Sequence, residues 1–170
     1  VPVALIADLS LVLVTRKDFP ANSLSEFITY AKANADKMQY GSAGTGSATQ
    51  ITCVMLNMAI GVNVTHVPYR GTGPAMQDIM GGRIDYICEQ VSTAIQQIRG
   101  GTVKPIATMG LSRSDVLPDL KTAAEEVFDI NCASLSAFEF PKGTPEAIVK
   151  RLAEATNKVV ESAFVRERFD

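Results

Sequence analysis

Tyr40-Gly41-Ser42-Ala43-Gly44-Thr45-Gly46-Ser47 joins a predicted strand at residues 38–42 to a predicted apolar helix at residues 47–60. Its glycines let the backbone approach a ligand closely. The first N–H groups of the helix have no partner within the helix, and the helix dipole favours a negative charge beside them. Ser42, Thr45 and Ser47 add hydroxyl donors. The stretch therefore predicts a strand–loop–helix unit whose loop binds an anionic oxygen group such as a carboxylate.

Two nucleotide-binding motifs resemble this loop but do not match it. A phosphate-binding P-loop has a lysine after its second glycine, whereas Gly46 is followed directly by Ser47. A dinucleotide fingerprint has a third glycine, and Thr49 stands at that position. Both nucleotide interpretations are therefore disfavoured. A second interpretation stays open, in which the glycines merely shape a tight turn between a strand and a helix.

The rest of the chain alternates between strand and helix patterns. Ser23 and Glu26 form a capping box at the start of one predicted helix. A long strand is predicted at residues 3–15, and an amphipathic helix with an apolar stripe is predicted after Thr144. Further strands are predicted at residues 62–67, 84–88, 103–109 and, as an extended segment, 130–140, with helices from residues 74, 92 and 122–127. This alternation is typical of an α/β fold with a mainly parallel sheet flanked by helices.

Two other loops follow predicted strands and precede helices. In Tyr69-Arg70-Gly71-Thr72, the tyrosine could pack on a ligand and the arginine could attract its charge. A solvated arginine beside a surface tyrosine is the alternative. In Glu89-Gln90, the glutamate could cap the next helix or face a pocket, and the sequence favours neither. Ligands of open α/β sheets bind at the carboxyl ends of strands, where all three loops are expected to lie.

Composition excludes several classes of function. The 170 residues carry a net charge of −2 with both signs interspersed, so no basic stripe indicates a nucleic-acid partner. The single histidine, His66, excludes a histidine-rich metal cluster and is interpreted as structural. Asp78 is interpreted as a helix-surface residue and Asp85 as a strand-edge residue, not as a catalytic pair. The three cysteines, Cys53, Cys88 and Cys132, are predicted to be buried thiols.

Six stretches, in register along nearly the whole chain, together resemble one protein family. They are Leu24-Ser-Glu26-Phe27-Ile28-Thr-Tyr30-Ala31-Lys32-Ala33-Asn34, Tyr40-Gly41-Ser42-Ala43-Gly44-Thr45-Gly46-Ser47, His66-Val67-Pro68-Tyr69-Arg70-Gly71, Gly81-Gly82-Arg83-Ile84-Asp85, Leu117-Pro118-Asp119-Leu120 and Pro141-Lys142-Gly143-Thr144-Pro145. In these stretches the chain resembles the Bug-type extracytoplasmic solute-binding receptors of tripartite tricarboxylate transporters.

This resemblance implies a type II periplasmic-binding-protein fold, with one full lobe and part of a second. Residues 12–132 would form the ligand-binding second lobe, with crossing strands near residues 3–15 and 130–141. Residues 1–11 and 142–170 would belong to the first lobe. The ligand-binding residues would be those of the three loops: Gly41, Ser42, Ala43, Gly44, Thr45, Gly46, Ser47, Tyr69, Arg70, Gly71, Thr72, Glu89 and Gln90.

The resemblance also implies what the protein does. We expect a monomeric periplasmic receptor that captures a di- or tricarboxylate, an amino acid or an aromatic acid and passes it to membrane permease subunits. No enzymatic activity, catalytic residue, cofactor, metal or nucleic-acid partner is expected. Two alternatives are a ligand-sensing domain of a transcription factor, which can share this fold, and an α/β transferase that binds a nucleotide or phosphate at the glycine loop.

The sequence departs from the family pattern at three places. Gln50 stands where a histidine usually follows the glycine loop, and Leu135-Ser136 replaces an aromatic pair in the second crossing strand. Glu89-Gln90 stands where the family often has Asp followed by Asn or Ser. The last two departures touch the expected pocket and therefore bear on the identity of the ligand.

Overall fold

The computed structural model of the chain describes residues 1–126 and 131–165. Strands and helices alternate along this part of the chain, as the sequence pattern predicts. The strands are β1 (Pro2–Arg16), β2 (Gln39–Ser42), β3 (Thr65–Pro68), β4 (Tyr86–Gln90), β5 (Val103–Thr108) and β6 (Ala133–Glu139); the helices are α1 (Leu24–Asn34), α2 (Ala48–Ile60), α3 (Thr72–Met80), α4 (Val91–Arg99), α5 (Ala123–Glu126) and α6 (Glu146–Val160).

The central sheet has the strand order β3-β2-β4-β1-β5, and β6 also pairs with β1. Strand β2 is parallel to both β3 and β4. Strand β1 is antiparallel to both β4 and β5, so β2, β3, β4 and β5 all run in one direction and β1 runs against them. The expected α/β fold with a mainly parallel sheet flanked by helices is confirmed, with β1 as the one reversed strand along this path.

Residues 10–133 form one compact unit that has a core on each face of the sheet. Tyr86 and Cys88 of β4 belong to one core, which includes residues of α1 and α2. Ile87, between them, belongs to the other core, together with Ala75 of α3 and Ala94 of α4. This separation follows from the alternation of side chains along a strand. Cys53, Cys88 and Cys132 are all free and buried, which confirms the prediction for the cysteines.

The N-terminus of α1 shows why the sequence pattern predicts this helix. The Glu26 amide donates to the Ser23 hydroxyl oxygen over 3.2 Å, as a capping box requires. The Glu26 carboxylate reaches back one residue further than expected and accepts from the Asn22 amide at 2.7 Å. The apolar face of α1 then places the Phe27 ring against Phe19 and Tyr86, with centroid separations of 5.6 and 5.1 Å.

Strands β3 and β4 begin later than predicted: β3 begins at Thr65 rather than at residue 62, and β4 begins at Tyr86 rather than at residue 84. Just before the start of β4, the Asp85 carboxylate accepts from the Gln39 amide at 2.8 Å and from the Arg16 side chain at 3.1 Å. The predicted helix end at Val127 and the predicted strand start at Ile130 lie outside the described residues.

The remaining described residues, 1–9 and 134–165, form a second compact unit that contains α6. The predicted apolar stripe of this helix is present but only partly covered. Ile148 and Val159 are 50% and 58% exposed.

Replacing Phe27 by alanine tests the core on the α1 side of the sheet. Phe27 is fully buried, so its removal is expected to lower the free energy of unfolding by about 3–5 kcal/mol. Urea denaturation of the intact protein measures this loss. The matched control is Leu111→Ala in the same unit, where the side chain is 74% exposed and the expected change lies within about 0.5 kcal/mol. Equal losses for the two variants would contradict the assignment of the core.

Candidate functional site

The three predicted loops meet at one edge of the sheet, because β2 lies between β3 and β4. The Tyr69 amide donates to the Ser42 carbonyl at 3.1 Å, and the Gly71 amide donates to the Ala43 carbonyl at 3.2 Å. On the other side of β2, Gly41 is the register partner of Ile87, two residues before Glu89. The structure therefore brings the first and second loops into contact and places the third at the neighbouring strand end.

The glycine-rich loop satisfies much of its own hydrogen-bonding capacity. The Ser42 hydroxyl accepts from the Gly44 amide at 3.1 Å, and the Ser47 hydroxyl donates to the Gly44 carbonyl at 2.7 Å. Ser47 also caps α2 by accepting from the Gln50 amide. The Gly44 carbonyl accepts in addition from the Ser47 amide at 3.2 Å. These contacts hold the loop in one conformation before any ligand binds.

Two side chains of α2, which the sequence analysis did not assign to the site, complete this internal network. The Thr49 hydroxyl accepts from the Ala43 amide at 2.9 Å, and the Gln50 side chain accepts from the Gly46 amide at 2.6 Å. The capping-box spacing Ser47-x-x-Gln50 could have indicated Gln50, because the residue three positions after the cap reaches back toward the chain before the helix. Gln50, one of the departures from the family pattern, therefore fastens the loop.

Three amides at this loop have no acceptor within the described part of the chain: those of Thr45, Ala48 and Thr49. Two of them are first-turn amides of α2, where a helix has no internal acceptor and carries a partial positive charge. Thr45 is exposed, and its hydroxyl lies on the same loop. Only some of the donors predicted in residues 41–47 are therefore available to an anion. The available donors lie at the tip of the loop and at the start of α2.

Glycine is required at two positions of the loop for different reasons. Gly44 has φ +123°, and a Cβ there would also lie 3.2 Å from the Tyr69 carbonyl oxygen. At Gly41 a Cβ would lie 2.6 Å from the Ile84 Cδ1 atom and 3.3 Å from the Tyr69 ring. Gly44 therefore has a backbone conformation that other residues rarely adopt. Gly41 has no room for a side chain, because the Ile84 and Tyr69 side chains pack against it.

The Tyr69 hydroxyl is hydrogen-bonded to helix α3. It donates to the Asp78 carboxylate at 2.7 Å, and Arg83 forms an ion pair with the same carboxylate at 2.6 Å. Burial, followed by the Asp78 contact, raises the pKa of Tyr69 to about 12. Asp78 is thus a half-buried anchor for Tyr69, and the sequence-based interpretation of Asp78 as a helix-surface residue misses this role.

Arg70, next to Tyr69, is exposed, and no ion pair holds it within the described residues. Gly71 and Thr72 follow, and α3 begins at Thr72. Gly71 has φ +96°, which lets the chain turn from the loop into the helix. The second loop therefore presents one unengaged cation beside the glycine-rich loop.

Glu89 fulfils both of the roles that the sequence left open. It is 2% exposed, and its Oε1 atom accepts from the Gln90 amide at 2.8 Å and from the Thr93 hydroxyl at 2.7 Å, at the N-terminus of α4. Its other oxygen, Oε2, has no hydrogen-bond partner in the part of the chain that the structure describes. Glu89 also lines a pocket of about 350 Å³ between α3 and α4, whose other lining residues are Thr72, Gly73, Met76, Gln77, Met80, Thr93 and Gln97. Gln90, which follows Glu89 in the third loop, is the N-cap residue of α4.

His66 has a structural role beneath the glycine-rich loop, as expected. Its ring stacks on Tyr40 with a centroid separation of 4.8 Å, and its Nε2 atom lies 2.7 Å from the Ser42 hydroxyl. Burial lowers the pKa of His66. Within the described residues there is no group of three or more His, Cys, Asp or Glu side chains that could hold a metal ion.

The fold is that of the periplasmic binding proteins, a class of solute-binding proteins. The chain belongs to the tripartite tricarboxylate transporter receptor family, whose model matches residues 1–169. It is 36% identical over 168 residues to a UPF0065 protein from the TAR-I ttuE–ttuC′ intergenic region of Agrobacterium vitis, with 98% of this chain and 49% of that protein covered.

Two solved structures show the same fold at similar identity. MatC from Rhodopseudomonas palustris with bound malate has a TM-score of 0.92 and is 36% identical, with 98% of this chain and 57% of that chain covered. The periplasmic binding protein BugD has a TM-score of 0.90 and is also 36% identical, with 98% and 56% covered. The chain thus spans about half the length of these relatives. Among the described helices, none is both long enough and apolar enough to cross a bilayer.

The pKa of His66 can be measured directly, because the sequence contains a single histidine. Burial disfavours the charged ring, so the NMR titration midpoint of the folded protein is expected below about 6.5, the ordinary value. The same signal in urea-unfolded protein should titrate at the ordinary value and serves as the control. Since the folded state then binds fewer protons than the unfolded state, His66 lowers stability as pH falls from the unfolded midpoint to the folded one. A folded-state midpoint at or above the unfolded one would contradict this.

Proposed function

We propose that this chain is the ligand-binding part of a periplasmic receptor that binds a small organic carboxylate and delivers it to the permease subunits of a tripartite transporter. Residues 12–132 would form the second lobe, the segments near residues 3–15 and 130–141 would cross to the first lobe, and residues 1–11 and 142–170 would belong to it. The observation that carries this proposal is the set of unengaged donors on two adjoining loops.

The ligand carboxylate would be held by the amides of Thr45, Ala48 and Thr49 and by the Thr45 hydroxyl. Hydrogen bonds to a charged group contribute about 1.5–3 kcal/mol each. The other loop residues, Gly41, Ser42, Ala43, Gly44, Gly46 and Ser47, would shape and hold this cradle, since most of their polar groups are already bonded within the loop. Arg70 would add a positive charge next to the cradle.

The remainder of the ligand would be read by the second and third loops. Gly71 and Thr72 lie beside Arg70, and Glu89 and Gln90 lie at the neighbouring strand end, while Tyr69 would offer its ring rather than its engaged hydroxyl. MatC, which is 36% identical to this chain, contains malate in its solved structure. A dicarboxylate of similar size is therefore the first class of ligand to test.

The protein would bind its ligand reversibly without changing it chemically. The Ser42 hydroxyl lies 2.7 Å from His66 Nε2, but Ser42 is fully buried and its hydroxyl also contacts the Gly44 carbonyl and amide. This pair is therefore not presented to a ligand as the nucleophile and general base that acyl or phosphoryl transfer would need. No cofactor is needed for such binding. The ligand would favour the closed arrangement of the two lobes, because it makes more contacts there than in the open one.

Arg70→Gln tests the charge beside the cradle. We expect about a tenfold or greater loss of affinity for the acid that binds best in a panel of C4–C9 mono-, di- and tricarboxylates, because one charge-assisted contact is lost. Isothermal titration calorimetry of the intact protein measures the dissociation constant. The matched control, Arg99→Gln, removes an exposed arginine at the end of α4 and should leave affinity unchanged.

Equal affinities for the Arg70 variant and the wild type would remove Arg70 from the site. No heat with any acid in the panel, together with tight binding of a nucleotide, would overturn the receptor proposal and favour the transferase alternative.

Gly44→Val tests the cradle itself. Gly44 has φ +123° and would bring a Cβ within 3.2 Å of the Tyr69 carbonyl oxygen, so a β-branched residue is expected to displace the loop and abolish measurable carboxylate binding. A thermal unfolding curve should show that the variant still folds. A folded Gly44 variant with wild-type affinity would place the carboxylate elsewhere.

A further inference from the structure

Two residues that line the pocket between α3 and α4, Glu89 and Gln97, each have a buried side-chain oxygen, Oε2 and Oε1 respectively, with no hydrogen-bond partner within the described residues. The Glu89 carboxylate is oriented by its other oxygen, which accepts from the Gln90 amide and the Thr93 hydroxyl. Thr93 and Gln97 are four residues apart on α4 and therefore lie on one face of that helix. Glu89 and Gln97 line the same cavity, and their unpartnered oxygens lie behind its surface.

The charge that Glu89 gives this pocket is negative and unpaired. None of the four ion pairs found in the described residues includes Glu89. Buried polar groups in folded proteins nearly always have a partner, so Glu89 and Gln97 leave two acceptors that the donors of a bound molecule can satisfy. Two acceptors with one negative charge match a group that carries several N–H donors and one positive charge.

The opposite wall of the pocket suits an alkyl chain. Met76 and Met80 are four residues apart on α3, line the same cavity and present flexible thioether side chains. The volume of about 350 Å³ lies at the small end of the range for small-molecule sites. Two oxygens are too few to coordinate a metal ion of the usual six or more ligands, whereas an ammonium group has three donors.

We propose that the α3/α4 pocket, lined by Glu89, Gln97, Met76 and Met80, binds a primary ammonium group carried on a short alkyl chain. The Glu89 and Gln97 oxygens accept from the ammonium, and the methionines pack along the chain. Both oxygens are shielded from water in the empty pocket, so binding requires a rotation of the Glu89 or Gln97 side chain or a movement of the methionines.

The ammonium could belong to a free amine or to the captured acid itself. Thr72 lines the pocket and also belongs to the second loop of the carboxylate site, so the two sites adjoin. The pocket follows from its own geometry, whereas its use by the captured acid depends on the proposed function.

The test compares two probes of equal length on the intact wild-type protein, n-butylammonium chloride and 1-butanol, with binding followed by NMR shift titration. We expect the ammonium to bind at least tenfold more tightly than the alcohol. Glu89→Gln should remove this preference, and the control Glu154→Gln, an exposed glutamate on α6, should keep it. Because Glu89 is buried and its replacement could disturb folding, Gln97→Met serves as a second variant at a less buried position. It should weaken ammonium binding several-fold.

The outcomes separate this proposal from the carboxylate proposal. Equal binding of the two probes, or a preference for the ammonium that survives in both folded variants, overturns the ammonium site even if acids bind normally. Butylammonium binding that depends on Glu89 supports it even if no acid gives heat. Tighter binding of 4-aminobutyrate than of butylammonium or butyrate, weakened by Arg70→Gln, assigns the amine to the captured acid. Equal binding that is insensitive to Arg70→Gln assigns the site to a free amine.

Discussion

The parallel pairing of β2 with β3 on one side and β4 on the other determines where every candidate ligand contact lies. Parallel strands of a sheet end at the same edge and are about 4.8 Å apart, so the loops that follow β2, β3 and β4 leave the sheet side by side. The hydrogen bonds from Tyr69 and Gly71 to the first loop extend the β2–β3 ladder beyond the strands. If this register shifted by one residue, the loop amides and Arg70 would no longer converge.

The glycine-rich loop bonds several of its own donors internally and leaves three backbone amides without an acceptor within the described residues. Ser42, Thr49 and Gln50 accept from the amides of Gly44, Ala43 and Gly46. The loop is therefore ordered before it meets a ligand. Ordering side chains and loops on binding typically costs about 0.5–1.5 kcal/mol for each immobilised side chain. A loop that is already fixed avoids much of this cost, so in the proposed complex the hydrogen bonds of the three remaining amides would contribute more fully to affinity.

The sequence predicts the elements of this fold and the position of its site because both depend on local patterns. The cap at Ser47, the glycines of the loop and the alternation of strand and helix are visible within a few residues. The reversal of β1 is not, because its pairing partners, β4 and β5, lie about 75 and 90 residues away in sequence. For the same reason, the Tyr69–Asp78 bond and the two-sided role of Glu89 required the structure: each depends on which face of an element meets which neighbour.

The position of a loop at this edge of the sheet does not by itself determine which charged groups it presents on each face of the sheet. Tyr40 and Ser42 face the α1/α2 side of the sheet, where Ser42 contacts His66, whereas Glu89 follows Ile87 to the α3/α4 side. This alternation matters electrostatically. Two like charges at the spacing of neighbouring strands would repel by about 3 kcal/mol at an effective dielectric constant of 20.

The N-terminus of α4 and the Thr93 hydroxyl partly neutralise Glu89. A positive group in the α3/α4 pocket would complete this neutralisation and lower the repulsion felt by a carboxylate at the glycine loop. The two sites would then favour each other, because the positive charge bound at one reduces an unfavourable interaction at the other. A zwitterionic guest would gain from both at once, whereas a dicarboxylate would gain from the first alone.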